Sequence, residues 1–281
     1  MNIRKFTSNL LFWILVAFIV IYSLAPFLWQ IITSFKPSNE LSTIPVTYWP
    51  KNFTLSHYKE LFQGTRNFPR YIINSIVVGL STTILCIFTG SLAAYAFARL
   101  RLPRRGLLLR IILSASLFPA IILIVPLYEM VSRFGLANNY LALIIPYTTL
   151  NLPFTIWVLT SFFRQIPSEL EDAAKVDGVS RLGLLFTIFF PLSAPAMATT
   201  SILVFISSWN EFLLALTFMS NDAARTVPVG IAMLGGRSSV YEIPWGSITA
   251  AMVLTTIPLV LVVLIFQQRI VEGLTQGAVK G

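Results

Sequence analysis

The sequence predicts an all-α polytopic membrane protein with six transmembrane helices, on three observations. Of 281 residues, 56% are hydrophobic, a larger share than soluble domains carry. Only 11% are charged. Uncharged runs approaching the roughly 20 residues that cross about 30 Å of hydrocarbon recur from end to end. A chain of this composition satisfies its backbone in lipid by closing its amides within helices.

The first span, 10–32, follows Arg4 and Lys5 and therefore begins like a signal peptide. It is too long for an h-region, and the polar stretch SFKPSNE, with no small-x-small cleavage site, comes next, so it reads as a retained span. The second, 72–97, carries two stripes of small residues at spacing four, Gly90, Ala94 and Ala98, and Ser75, Gly79 and Thr83. Such stripes let a second helix approach closely. Four further spans are expected at 109–128, 141–162, 184–207 and 248–267. The apolar stretch 212–220 is too short to cross alone and reads as a half-helix or re-entrant element. Prolines fall inside or beside these runs at 26, 119, 126, 146, 153, 191, 195 and 258. Each removes an amide and bends its helix, as suits a set of helices that line a pathway.

Basic residues set the orientation. Arg99, Arg101, Arg104, Arg105 and Arg110 crowd the second connector, whereas Arg133 stands alone in the third. The arginine-rich side should face the cytoplasm, which places both termini there. The net charge of +9 then reads as orientation and contact with membrane lipid headgroups; charges scattered over loops on both faces argue against nucleic acid. A single cysteine, Cys86, and a single histidine, His57, leave no basis for a disulfide or a zinc site.

Against this background the acidic segment PSELEDAAKVDG, 167–178, stands out. Pro167 sets its entry, Ser168 and Glu171 have the spacing of a capping box, and Glu169, Glu171 and Asp172 meet the positive end of the helix dipole. Gly178 is suited to a left-handed stop. The helix expected within 168–178, about nine residues long with Gly178 as its stop, is marginal in water by itself. On the cytoplasmic side it reads as a docking element, with a solvated interhelical loop as the plain alternative.

The stretch ELEDAAKVDGVSRLGLLFTIFFPLSAP resembles the EAA motif of ABC importer permeases: EAA, three residues, glycine, nine residues, then I-x-L-P. Asp172, Ala173 and Ala174 occupy the EAA positions, Gly178 the glycine, Ile188 the isoleucine and Pro191 the proline. Asp172 replaces glutamate and keeps its charge; Phe190 replaces leucine and keeps its apolar character. NSIVVGLSTTILCIFTGSLAAYAFARLR, SWNEFLLALTFMSNDAARTVPVGI and the tail GLTQGAVKG extend the resemblance to the carbohydrate branch of that family, in the group around the maltose-system permeases. The resemblance implies a type I importer (MetI-like) fold in a bacterial cytoplasmic, or inner, membrane. It also implies a heterodimer with a second permease subunit, two ATPase subunits that use ATP and Mg, and an extracytoplasmic solute-binding protein. Coupling to the ATPases falls to Glu171, Asp172, Ala173, Ala174, Asp177, Gly178, Ile188 and Pro191, and this chain binds no cofactor itself.

The remaining motifs are informative by type. No G-x-x-x-x-G-K-[ST], HExxH or GxSxG occurs, so the chain is read as non-catalytic. In SSWNEF, Trp209, Asn210 and Glu211 are candidate pathway residues: an aromatic face for a sugar ring, an amide for its hydroxyls and an ionisable group beside apolar helix. The opposing reading makes Trp209 an interfacial belt residue and Glu211 a marker of the outer surface. Asp222, Arg225, Arg237 and Glu242 are candidates for contacting the binding protein. Two other functions are weighed against the permease: a self-sufficient secondary transporter, disfavoured by uncharged span centres, and a non-transporting assembly protein, which has no use for the EAA spacing.

Overall fold

The computed structural model describes residues 3–64, 67–235 and 243–278. Among these there are helices and turns and no strand. The chain groups into two compact units, Met1–Pro69 with Ile231–Ile257, and Arg70–Gly230 with Pro258–Gly281.

The first unit contains α1 (Ile3–Ser34), α2 (Ser38–Leu41) and α3 (Ser56–Gln63), together with the start of a long C-terminal helix. The most apolar window of α1 is 0% buried within the chain, so its apolar surface is left for lipid or a partner. At its end the chain turns polar and closes on itself. Ser34 Oγ lies 2.7 Å from Tyr58 Oη, and the Phe35 and Phe53 rings stack at 4.5 Å. Lys36 is buried, donates to the Thr47 carbonyl and sits 4.8 Å from the Trp29 ring centre. Glu40, also buried, accepts from Thr47 Oγ1 at 2.7 Å and from the Lys51 amide at 3.0 Å. His57 Nε2 lies 2.9 Å from the Lys36 carbonyl oxygen.

The second unit begins from α4 (Phe68–Arg99), which runs on through α5 (Arg105–Ala115), α6 (Ile124–Arg133) and α7 (Leu141–Phe163). Then come the short α8 (Ser168–Val176), α9 (Arg181–Leu184) and α10 (Phe190–Leu192), with a π-helical turn at Leu185–Phe189 before α10. The chain continues through α11 (Ala194–Asn210), α12 (Leu213–Phe218) and α13 (Val227–Gly235), and ends in α14 (Trp245–Ala278); α13 and α14 are each divided between the two units. Among the described residues, four helices are long and apolar enough to cross a membrane, and up to six spans result if two bent pairs each count as one.

Those bends fall on proline. The run expected to be continuous over 109–128 is interrupted between α5 and Pro119, and its halves make an angle of 81°. The run 184–207 bends by 83° at Ser193, between Pro191 and Pro195. Neither proline supplies an amide to the helical ladder, and the wider π turn just before them takes up the mismatch. The stretch expected at 212–220 contains the six-residue α12.

Small residues let α4 pack closely. A Cβ on Gly90 would sit 2.6 Å from Thr155 Cγ2, and one on Gly79 would sit 2.9 Å from the Phe205 ring. Ala94 and Ala98 join Tyr95, Leu159, Phe163, Leu184 and Phe189 in one buried apolar cluster. Both stripes are therefore packing surfaces, as the spacing predicts.

Candidate functional site

The geometry of α8 follows from its two ends. Its N-cap position is Pro167, in extended backbone, so Ser168 is already helical and makes no capping bond. The expected capping box does not form. The Glu171 carboxylate turns sideways instead, to Arg99 Nε at 3.5 Å and Lys175 Nζ at 3.1 Å. A full opposite charge at a nearly desolvated position outcompetes a single backbone amide: the two side chains of the Arg99–Glu171 pair are 13% and 12% exposed.

The C-terminal end forms as expected. Gly178 has φ of +79°; its amide donates to the Lys175 carbonyl at 3.0 Å, and the Val179 amide donates to the Ala174 carbonyl at 2.9 Å. This pair of bonds is a Schellman motif. Ala174 and Val179, the two residues joined by the second of these bonds, both pack against the cluster around Phe163 and Phe189. Ser180 then caps α9, its Oγ accepting from the Gly183 amide at 3.1 Å.

α8 is thus held by its inner side. Ala174 and Glu171 face the bundle, and Arg99 fastens the join by also donating to the Phe163 and Ile166 carbonyls and lying 5.2 Å over the Phe189 ring. The outer side is open. Leu170 is 44% exposed and Val176 88%, with Asp172, Ala173 and Asp177 exposed between and after them. Leu170, Ala173 and Val176 repeat at spacing three and form an apolar stripe edged by carboxylates. Glu171, and after it Asp172, hold the Lys175 ammonium above the usual lysine range. Ile188 lies in the π turn, partly buried against the same cluster, and Pro191 is exposed at the bend that follows.

The second group of expected residues sits where α11 meets α12. Trp209 is 2% exposed and packed on Phe205 at 5.6 Å, so its indole offers no face to a solute in this conformation. Asn210 is exposed, with its amide donating to the Ile206 carbonyl at 2.9 Å. Glu211 caps α12: its carboxylate accepts from the Leu214 amide at 2.8 Å and the Ala215 amide at 3.1 Å, and the buried Tyr147 hydroxyl donates to it as well. The carboxylate is costly beside apolar helix and is satisfied by three donors.

Asp222 and Arg225 pair with each other at 2.6 Å, and Tyr71 also donates to Asp222; Arg237 and Glu242 lie outside the described residues. Two residues escape a reading of the sequence. Asn74, 1% exposed, donates to the Ala223 and Arg225 carbonyls and accepts from Tyr140 Oη. Its only signal is an amide within an apolar run. Arg99 reads from the sequence as one orientation charge among five.

Residues 86–276 match the family model described as binding-protein-dependent transport system inner membrane component. The chain is 42% identical over 276 residues to the sulfoquinovosyl glycerol transport system permease protein SmoH of Agrobacterium fabrum, covering 98% of this chain and 95% of the other. It is 44% identical over 262 residues to the trehalose/maltose transport system permease protein MalG of Thermococcus litoralis, covering 93% of each. It is also 44% identical over 263 residues to the trehalose transport system permease protein SugB of Mycobacterium tuberculosis, covering 94% of each. Its fold is similar, with a TM-score of 0.80 at 20% identity over 95% of this chain and 98% of the other, to a chain of a bacterial ABC transporter involved in the import of the acidic polysaccharide alginate.

Proposed function

This chain belongs to the family of binding-protein-dependent transport system inner membrane components, and from that premise we propose that it forms half of the membrane pathway of an importer for a sugar or glycoside. Relatives whose names specify sulfoquinovosyl glycerol, trehalose and maltose support that substrate class. The energy comes from separate ATPase subunits that bind and hydrolyse ATP with Mg, a binding protein delivers the solute from outside, and a second permease completes the pathway. Both termini face the cytoplasm, as does α8.

The observation that carries the coupling proposal is the two-sidedness of α8. Arg99 and Ala174 fix the inner side to the bundle, while Leu170, Ala173 and Val176 are exposed on the outer one. A helix of nine residues gains most of its stability from tertiary contact, so a push on its outer side is transmitted through the Arg99–Glu171 pair and the Phe163–Phe189 cluster rather than absorbed by fraying. Gly178, Ile188 and Pro191 set the turn and the bend through which that displacement reaches α11. On the pathway side Asn210 is the exposed residue of the three, available to meet a hydroxyl, while Trp209 packs on Phe205 and Glu211 is held by Tyr147 and the start of α12.

Single cysteines at Ala173 and Val176, paired with cysteines on the ATPase subunit expressed with the chain, test this reading. A disulfide-linked permease–ATPase product that forms in transport-active membranes, and whose yield changes on adding ATP, is expected. Sustained solute uptake in membranes stripped of ATPase subunits would instead establish a secondary transporter.

A further inference from the structure

We propose that the arginine-lined hollow between α4 and α5 seats the headgroup of an anionic phospholipid. The hollow has a volume of about 850 Å³ and is walled by Arg99, Arg101, Arg104, Arg105 and Arg110. Arg99 is engaged with Glu171 and two carbonyls, and Arg110 Nε donates to the Gly106 carbonyl at 3.2 Å. Among the described residues, Arg101, Arg104 and Arg105 have no acidic partner.

Their position adds positive potential from the backbone to that of the side chains. α5 begins directly after Arg104, with no acidic residue in its first turn and no side-chain cap. The positive end of its dipole and the unpaired arginines therefore border one space. Arg104 holds a left-handed backbone, with φ of 51°, at the turn into the helix. Orientation across the membrane needs only a count of basic residues near the span. It does not need them gathered around a hollow.

The surface beside the hollow identifies the anion's source. Leu107, Leu108 and Ile111 are 46%, 41% and 58% exposed on the same helix, so charge for a headgroup continues into apolar surface for acyl chains. A phosphodiester is matched by the planar fork of arginine, and basic pockets at the ends of membrane helices attract acidic headgroups. Free phosphate or a nucleotide satisfies the charge but leaves the leucines uncovered.

The test uses the full chain purified with its accompanying subunits, exchanged into bilayer discs of phosphatidylcholine containing phosphatidylglycerol, with bound lipid counted by native mass spectrometry. Gly106→Glu places a carboxylate in the hollow without disturbing the fold, because a Cβ there meets nothing within 4 Å and an acid suits the first helical turn. Phosphatidylglycerol retention should fall about fivefold, the weight of one basic charge at a membrane surface. Gly106→Ala should retain the lipid, and Arg104→Gln with Arg105→Gln, which removes two charges, should lower retention further, by about 25-fold on the same weight. Unchanged retention in Gly106→Glu overturns the proposal. So does an equal loss in Arg133→Gln, a remote basic site that is 81% exposed, since that would mean a diffuse field. Displacement of the lipid by millimolar inorganic phosphate overturns the lipid assignment in favour of a free-anion site.

Discussion

The Arg99 guanidinium lies 3.5 Å from the Glu171 carboxylate and joins the last turn of α4 to the first turns of α8. The same arginine donates to the Phe163 and Ile166 carbonyls at the end of α7. Three elements therefore depend on one planar side chain. Arg99→Ala leaves two carbonyls and a mostly buried carboxylate short of partners, at a cost of about 2 to 3 kcal/mol. Arg99→Lys should recover less than half of it, since a single ammonium cannot reproduce the fork. Thermal unfolding in detergent measures the loss, and solute uptake per ATP hydrolysed should fall with it. An Arg99→Ala protein that melts and transports as the parent does would remove this join from the coupling route.

What could be read from the sequence of this region, and what could not, follows from the range of each interaction. Entry at Pro167 and exit at Gly178 depend on backbone chemistry within a few residues, so α8 and its Schellman turn are visible in the sequence. The capping box at Ser168 and Glu171 has the right local spacing and still fails, because Arg99 attracts the carboxylate from a distant helix. The breaks before Pro119 and at Ser193 are hidden for a similar reason: mean hydropathy along a run does not register a change of direction. Trp209 and Glu211 show the ambiguity of an aromatic and an acid beside a span. Only the fold shows that the indole is packed on Phe205 and that the carboxylate caps α12.

Gly178 separates backbone strain from surface charge. Its φ of +79° disfavours a side chain, yet a Cβ there would meet nothing within 4 Å. Gly178→Ala should therefore cost about 1 kcal/mol, from the left-handed conformation alone, and Gly178→Asn less. Gly178→Asp adds a charge next to Asp177 at the exposed end of α8. If that end meets an ATPase subunit, uptake should drop at least about tenfold in the aspartate variant and little in the asparagine variant, because unmatched charge at an interface costs several kcal/mol. Equal uptake by the two variants would place the docking surface elsewhere.

The close approach of α4 and α7 makes a size test. Gly90→Ala gains helix propensity of about 1 kcal/mol, but its methyl would come within 2.6 Å of Thr155 Cγ2. Overpacking of this kind costs about 1 to 3 kcal/mol, so the single variant should be less stable than the parent. Adding Thr155→Ser deletes that Cγ2 and keeps the hydroxyl that bonds to the Asn151 carbonyl at 3.0 Å and lies 3.2 Å from Cys86 Sγ. The double variant should regain most of the loss. Melting temperatures of the four proteins in one detergent form the cycle, and no rescue in the double variant would mean that the strain is taken up by backbone movement rather than by the methyl contact.

Acid should loosen the polar turn after α1 through Glu40. The Thr47 hydroxyl, then the Lys51 amide, hold its carboxyl below the ordinary value of 4.5, with the Asn52 amide and the charge of Lys36 adding to them. A lowered folded-state pKa means that the unfolded chain takes up the proton first. The stabilisation is therefore complete above about pH 4.5, the ordinary value, and disappears as pH falls through the lower, folded one. Glu40→Gln keeps the shape but not the charge, so it should melt below the parent at pH 7 and converge with it in acid. Parallel melting curves for the two proteins from pH 7 down to pH 3 would show that Glu40 carries no charge-dependent stability in this turn.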